Sequence, residues 1–245
     1  MVGVHTTSQF THQREAPNMR KTVITLLALG VFAASTAFAA NAVRISQVYG
    51  GGGNSGAYYK NDYVELFNNS GAPVNIGGWT LMYASSASAA FGGATNMYVQ
   101  MPVGATIPAC RYYLIQLAAG TGGIALPVAA NATGTIAASA TAGKFGLATS
   151  GTSGTCSTTW VDLVSYGGAT LCWEGTAPTT APSNTNAVVR GGAGMTDTDQ
   201  NLADFTSVLC NASLAIHNSA SPANVACLAV PATRNSWGQV KTIYR

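Results

Sequence analysis

Histidine, cysteine and carboxylate side chains carry most acid–base, nucleophilic and metal chemistry, and this chain spends them sparingly. Of its 245 residues only 8% are charged. His5 and His12 lie ahead of a leader-processing motif, so His217 is the one histidine of the mature chain. It sits in Ala215-Ile216-His217-Asn218-Ser219 without a nucleophile-elbow sequence, and reads as a solvated loop histidine. One imidazole cannot supply the multi-histidine sets of common zinc hydrolases, and no two cysteines stand two to four residues apart. Asp62 and Glu65 are three apart on a presumed strand, which points them to opposite faces. Glu65 and Asp162 are expected to bond backbone groups or face solvent, and Glu174 is isolated in sequence. The expectation is a protein without catalytic residues.

Two stretches invite binding chemistry. Asp197-Thr198-Asp199-Gln200-Asn201 with Asp204 offers oxygen ligands at alternate positions, as Ca²⁺ requires. The EF-hand pattern fails there, with Leu202 at the sixth position and Val208 at the twelfth, and the competing reading has Asp199 capping a helical turn into Ala203–Phe205. The candidate metal set is therefore Asp197, Asp199, Asn201 and Asp204, with Ca²⁺ the only cofactor in question. Gly50–Gly56 lacks the Gly-Lys-Ser/Thr ending of a phosphate loop and reads as a conformational device. Just beyond it, Tyr58, Tyr59 and Lys60 form a candidate contact surface, unless the rings pack over the end of the domain.

These groups must be positioned by strands. Short β-prone runs broken by Gly, Asn, Ser and Pro recur at Val43–Tyr49, Asp62–Phe67, Trp79–Tyr83, Tyr98–Met101, Arg111–Leu117, Lys144–Ala148, Trp160–Tyr166 and Ala187–Arg190. Alternation places Val43, Ile45, Gln47 and Tyr49 on one face of the first. Trp79, Trp160 and Phe67 are expected in the core, with Trp173 shielding a disulfide. No sustained 3.6-residue apolar period exists in the mature chain, which argues against long helices.

Met19–Ala39 has the pattern of a secretory signal peptide: Arg20 and Lys21, an apolar Thr22–Ala34, and the small-x-small Ala37-Phe38-Ala39. Residues 1–39 are thus upstream sequence plus leader, with Met19 the expected start and cleavage after Ala39. Residues 40–228 form the domain, and 229–245 a linker with a short amphipathic tail in which Trp237, Val240 and Ile243 recur every three residues. Removing 1–39 takes away Arg14, Arg20, Lys21 and Glu15, and net charge falls from +3 to +1. Such a chain lacks the basic footprint of a dedicated nucleic-acid binder. An exported chain is expected to oxidise its cysteines. Five allow at most two bridges. Cys156–Cys172 and Cys210–Cys227 are the expected pairs and Cys110 the leftover, with other connectivities open.

VRISQVYGGGGNSGAYYKNDYVELFNNSG followed by PVNIGGWTLMY resembles the start of a lamin-tail domain of the bacterial secreted type. The likeness continues through IPACRYYLIQLA, ATAGKFGLA, VDLVSYG, CWEGTAP and DTDQNLADF, covering roughly Ala42–Pro222. It implies an all-β, immunoglobulin-like β-sandwich, in agreement with the short alternating strands. It also implies a secreted, periplasmic or cell-surface binding or attachment module with a cell-envelope, glycan or protein partner and no transmembrane helix in the mature chain. The alternatives are a nucleic-acid-binding accessory to extracellular nuclease or phosphatase systems, or a hydrolase.

Overall fold

Runs rich in Val, Ile, Leu, Tyr and Phe between glycine, asparagine and proline breaks become strands because β-branched and aromatic side chains fit a pleated surface. The computed structural model describes residues 42–228, besides Met1 and Gly3. The strands all belong to the unit Ala39–Arg245. The expected leader at Met19–Ala39 and the expected tail at 229–245 lie outside the described residues.

In chain order the strands are β1 (Val43–Tyr49), β2 (Asn61–Asn68), β3 (Val74–Asn75), β4 (Thr80–Ser85), β5 (Ala90–Gly92), β6 (Tyr98–Gln100) and β7 (Thr106–Ile107). They continue as β8 (Tyr112–Ala119), β9 (Ala132–Thr133), β10 (Ala142–Ala148), β11 (Ser153–Thr155), β12 (Asp162–Gly167), β13 (Asn186–Arg190) and β14 (Phe205–Leu209), with one helical turn, α1 (Asn201–Asp204), before the last. A six-stranded sheet runs β14-β13-β1-β2-β8-β9 and a four-stranded sheet β12-β10-β4-β6. Pairing is antiparallel except between β8 and β9. The two sheets make an immunoglobulin-like β-sandwich.

Between the sheets, Ile45, Val48, Val64, Leu66, Tyr113, Ile115 and Leu117 meet Leu81, Tyr83, Phe145, Leu147, Val164 and Tyr166 in one apolar cluster. The outer faces are covered too. Tyr49, Tyr59, Tyr63, Leu114, Ala187, Cys210 and Ile216 cluster over the six-stranded sheet. Met82, Ala84, Phe91, Ala148 and Leu163, with Trp160 against them, cluster over the four-stranded one. Coverage on both faces explains why β1 and β2 are buried at every position.

Two sequence expectations need correcting. The register of β1 shifts between Ile45 and Gln47. A bulge adds one residue and reverses the faces beyond it, so Val48 joins Val43 and Ile45 inside while Tyr49 belongs to the outer cluster. Trp79 is in the core, whereas Trp160 precedes β12 and lies outside the sandwich with its ring 4.7 Å from Phe91. Phe67 is fully buried, as expected of a core residue, on the outward side of its strand and 4.9 Å from the Tyr112 ring.

Arg190, fully buried at the end of β13, ties the two sheets together. Its Nε donates to Ile45 O of β1 (2.8 Å), and its Nη2 donates to both carboxylate oxygens of Asp162 in β12 (3.0 and 2.8 Å). Its Nη1 reaches Asp197 Oδ1 (2.8 Å), Asp204 Oδ2 (3.4 Å) and Thr196 O (3.3 Å), and the guanidinium lies 4.4 Å from the centre of the Phe205 ring. Asp162 Oδ2 also accepts the Ile45 N–H at 2.6 Å. A planar fork of five donors suits this convergence, which the point charge of lysine does not. Burial raises the Asp162 carboxyl above the ordinary carboxylate range, with the guanidinium and the Ile45 amide pulling against it. Asp204 ends below that range: burial opposes its charge, but the Thr198 N–H and O–H, the Gln200 N–H and Arg190 outweigh it. Replacing Arg190 by methionine strands Asp162 and Asp204 without their cation. The expected cost is about 3–5 kcal/mol, read as a lowered urea midpoint with both disulfides intact; an unchanged midpoint contradicts the role assigned to Arg190.

Candidate functional site

Beyond Cys210 the chain leaves the sheet and crosses its outer face as a strap without strands, reaching Leu228. Polar contacts with the sheet and its loops hold it down. Gln47 Nε2 donates to Ala215 O (2.8 Å), Arg111 Nη1 reaches Ser219 O and Ala220 O (3.4 Å each), and Asn131 Nδ2 donates to Ser219 Oγ (2.6 Å). Covalently it is tied by Cys110–Cys227. The other bridge is Cys156–Cys172, and Cys210 is a buried free thiol in the tyrosine cluster, which corrects the expected Cys210–Cys227 pair. Burial pushes the Cys210 thiol up to about 12, far from a reactive thiolate.

Under the strap lies a cleft of about 250 Å³ lined by Ser46, Gln47, Glu65, Tyr112, Val189, Ala193, Leu214, Ala215 and His217. Glu65 forms its floor with a side chain 1% exposed. One carboxylate oxygen accepts Ser46 Oγ (2.6 Å) and Gln47 Nε2 (3.3 Å); the other accepts the His217 backbone N–H (2.7 Å) and faces His217 Nδ1 at 3.2 Å. The His217 ring is stacked on Tyr112, with centroids 4.1 Å apart and planes 17° from parallel. His217 is therefore a positioned imidazole and not the solvated loop residue its sequence context suggests. Glu65, expected to bond backbone groups or face solvent, does accept the His217 backbone N–H, and its carboxylate also orients the ring. No local pattern could reveal the pair, because 152 residues separate the two.

The rim of the cleft depends on a left-handed turn. Gly192, Ala193 and Gly194 have φ of 63°, 53° and 97°. A Cβ at Gly194 would come within 2.9 Å of the Phe67 ring, so only glycine serves there. The turn carries Ala193 to the cleft, where its carbonyl accepts the Tyr112 hydroxyl at 3.0 Å.

The binding candidates fall elsewhere. Tyr59 is buried, edge-on to Tyr49, Tyr58 and Tyr63, so it packs over the sandwich end; Tyr58 is half-buried and Lys60 exposed. The preceding Gly50–Gly56 loop wraps a protein carboxylate: Asp62 accepts the Gly52 N–H (2.8 Å) and the Ala138 N–H (2.9 Å). Burial lifts Asp62 to about 7 despite those two amides.

The four candidate calcium ligands are divided. Asp204 and Asn201 turn inward, Asp204 onto Arg190 and the Thr198 and Gln200 amides. Asn201 Oδ1 accepts the Ser165 and Glu174 N–H groups. Asp197 and Asp199 line a separate hollow of about 370 Å³ with Glu174, Val161 and Trp160, and Asp197 is already paired with Arg190. Among the described residues no group of three or more His, Cys, Asp or Glu side chains is arranged to hold a metal ion. Asp199 does not cap α1 either; the residue preceding that turn, Gln200, makes no side-chain cap, and Asp204 satisfies the amides there instead.

Residues 36–215 match the family model described as Lamin Tail Domain, a family of non-catalytic immunoglobulin-like domains. Among curated proteins none matches the chain. No helix among the described residues is long and apolar enough to cross a membrane.

Two outcomes follow from this geometry. Replacing Cys110 and Cys227 together by serine reopens a loop spanning 117 residues. That should cost about 4 kcal/mol, lowering the melting temperature and speeding amide exchange in the strap more than in β1 or β2; equal exchange in all three contradicts the tie. Burial, then the neighbouring Asp162 charge, lifts Glu174 to about 8, beside Asp62 at about 7. Raised carboxyls keep a proton in the folded state that the unfolded chain loses near pH 4, so their stabilising effect is full below that pH and is lost as pH rises to about 8. The urea midpoint should fall from pH 5 to 8.5, and Glu174→Gln should flatten part of the fall; an unchanged slope contradicts it.

Proposed function

The chain belongs to the lamin tail domain family, and from that premise we propose that it is an exported, non-catalytic module that binds or attaches to a neutral component of the cell envelope. The observation that carries this reading is where the charges go. Among the described residues, Arg44, Asp62, Glu65, Lys144, Asp162, Arg190 and Asp204 are buried, Arg111 and Glu174 are half-buried, and only Lys60, Asp197 and Asp199 are exposed. The buried ones hold structure together. Lys144 Nζ, for example, donates to Ser86 O and Ser88 O at 2.9 and 2.7 Å. What remains outside is largely uncharged hydroxyl, amide and apolar surface, suited to a partner recognised by shape and neutral hydrogen bonds.

The same distribution weighs against nucleic acid, which needs clustered exposed cations. Hydrolysis is disfavoured by the geometry of the Glu65–His217 pair: the nearby hydroxyl, Ser46 Oγ, donates to Glu65 and not to the imidazole. Two disulfides suit an oxidising compartment, and the leader motif at Met19–Ala39 supplies the export reading.

Intact oxidised protein should be retained by cell-envelope fractions or their glycans, with retention little changed between low and high salt and by the presence of Ca²⁺ or chelator. DNA should not be retarded at low salt. Steep loss of retention with salt, DNA retardation, or turnover of a chromogenic ester or phosphate would each contradict the proposal.

A further inference from the structure

Most polar groups lining the cleft under the strap are already engaged. The Glu65 carboxylate accepts from four donors. Gln47 Nε2 donates to Glu65 and Ala215 O, and its Oε1 accepts the Tyr63 hydroxyl at 3.0 Å. The Tyr112 hydroxyl donates to Ala193 O. Among the described residues, one side-chain nitrogen of the lining is left without a protein partner: His217 Nε2. It is not among the buried unsatisfied atoms, so it is open to the cleft's surroundings. The Nδ1 side of the ring is fixed by Glu65 and its face by Tyr112. A hydrogen bond from Nδ1–H to the carboxylate sets the tautomer, leaving an acceptor lone pair on Nε2 of the neutral ring.

The remaining lining is Val189, Ala193, Leu214, Ala215 and the tyrosine ring. Resting on the binding-module reading, we infer that this cleft takes a neutral aromatic group carrying a single hydrogen-bond donor, a phenol or an indole, with the donor on His217 Nε2 and the ring against the apolar wall. The matching is one donor to one acceptor. An ammonium brings three donors to a lining whose one unengaged side-chain nitrogen is His217 Nε2 and must give up its hydration to enter, while a carboxylate meets the buried charge of Glu65. A volume of about 250 Å³ limits the occupant to about one aromatic group. Such a group arrives either as a free molecule or as the side chain of a partner's tyrosine or tryptophan.

The experiment is an NMR titration of the intact oxidised protein, following the His217 ring protons, with phenol, indole, anisole, benzylamine, benzoate and N-acetyl-tyrosine amide. Phenol and indole should shift His217 saturably, and anisole, which has the ring without the donor, should bind about tenfold more weakly, the equivalent of one hydrogen bond. Benzylamine and benzoate should bind no better than anisole. Saturation by the blocked tyrosine as well as phenol identifies a partner's side chain as an admissible source; saturation by phenol alone restricts the site to free molecules. His217→Phe keeps a ring for Tyr112 and should reduce phenol to the anisole level. Ala215→Phe, which adds a ring at the cleft lining and leaves His217 in place, should weaken phenol and anisole alike. Anisole equal to phenol, benzylamine or benzoate superior to it, or no shift of His217 with any probe overturns the inference. A protein that fails these tests yet is still retained by envelope fractions loses this ligand assignment and keeps the binding-module reading.

Discussion

A guanidinium with no access to water sets the terms for the rest of this fold. Arg190 can stay charged inside the protein only because Asp162, Asp197 and Asp204, two backbone carbonyls and an aromatic face surround it. Those partners come from the opposite sheet, the acidic loop, the neighbouring strand and the last strand. Meeting the demands of one cation therefore fixes the spacing of the sheets at this edge and the path of the chain after β13. The acidic stretch that resembles a cation site is the counter-charge for an internal cation. Its geometry answers to arginine, which takes both Asp197 and Asp204 as partners and leaves Asp199 exposed.

The same economy governs the outer face of the six-stranded sheet. A strap without strands needs partners for its own backbone, and it finds them in Gln47, Glu65, Asn131 and Arg111. Glu65 is buried by the strap it holds, and His217 arrives on that strap as a neighbour of the carboxylate. The cleft is what remains where the strap, the β1 bulge and the left-handed turn at Ala193 do not fill the space above the sheet. Its polar atoms are mostly spent on assembly, and one imidazole nitrogen is left facing outward. Under the binding-module proposal, that nitrogen is the group a ligand would meet.

The sandwich was legible because several long strands keep a period-two pattern or a solid apolar run, as in Asn61–Asn68 and Ala142–Ala148. Strands of two or three residues, such as Val74–Asn75 and Ala132–Thr133, carry no period to read. Phe205–Leu209 escaped because its strand is an edge with exposed Thr206 and Ser207, directly after a helical turn. The β1 bulge is set by pairing with β2 and leaves no mark in the alternation of β1 itself. Sequence proximity favoured Cys210 as the partner of Cys227, but loop-closure cost grows only slowly with length, so packing can select a bridge across 117 residues. The Glu65–His217 pair was invisible for the same reason: its logic is three-dimensional.

Hydrogen exchange on the intact, oxidised protein, alone and saturated with the cell-envelope fraction that retains it, tests the central claim most directly. The account predicts new protection in the strap from Leu214 to Asn218 and around Ala193, with the inner strands unchanged. Protection confined to the acidic loop at Asp197–Asp204 or to the Gly50–Lys60 loop, with the strap unaffected, would contradict it.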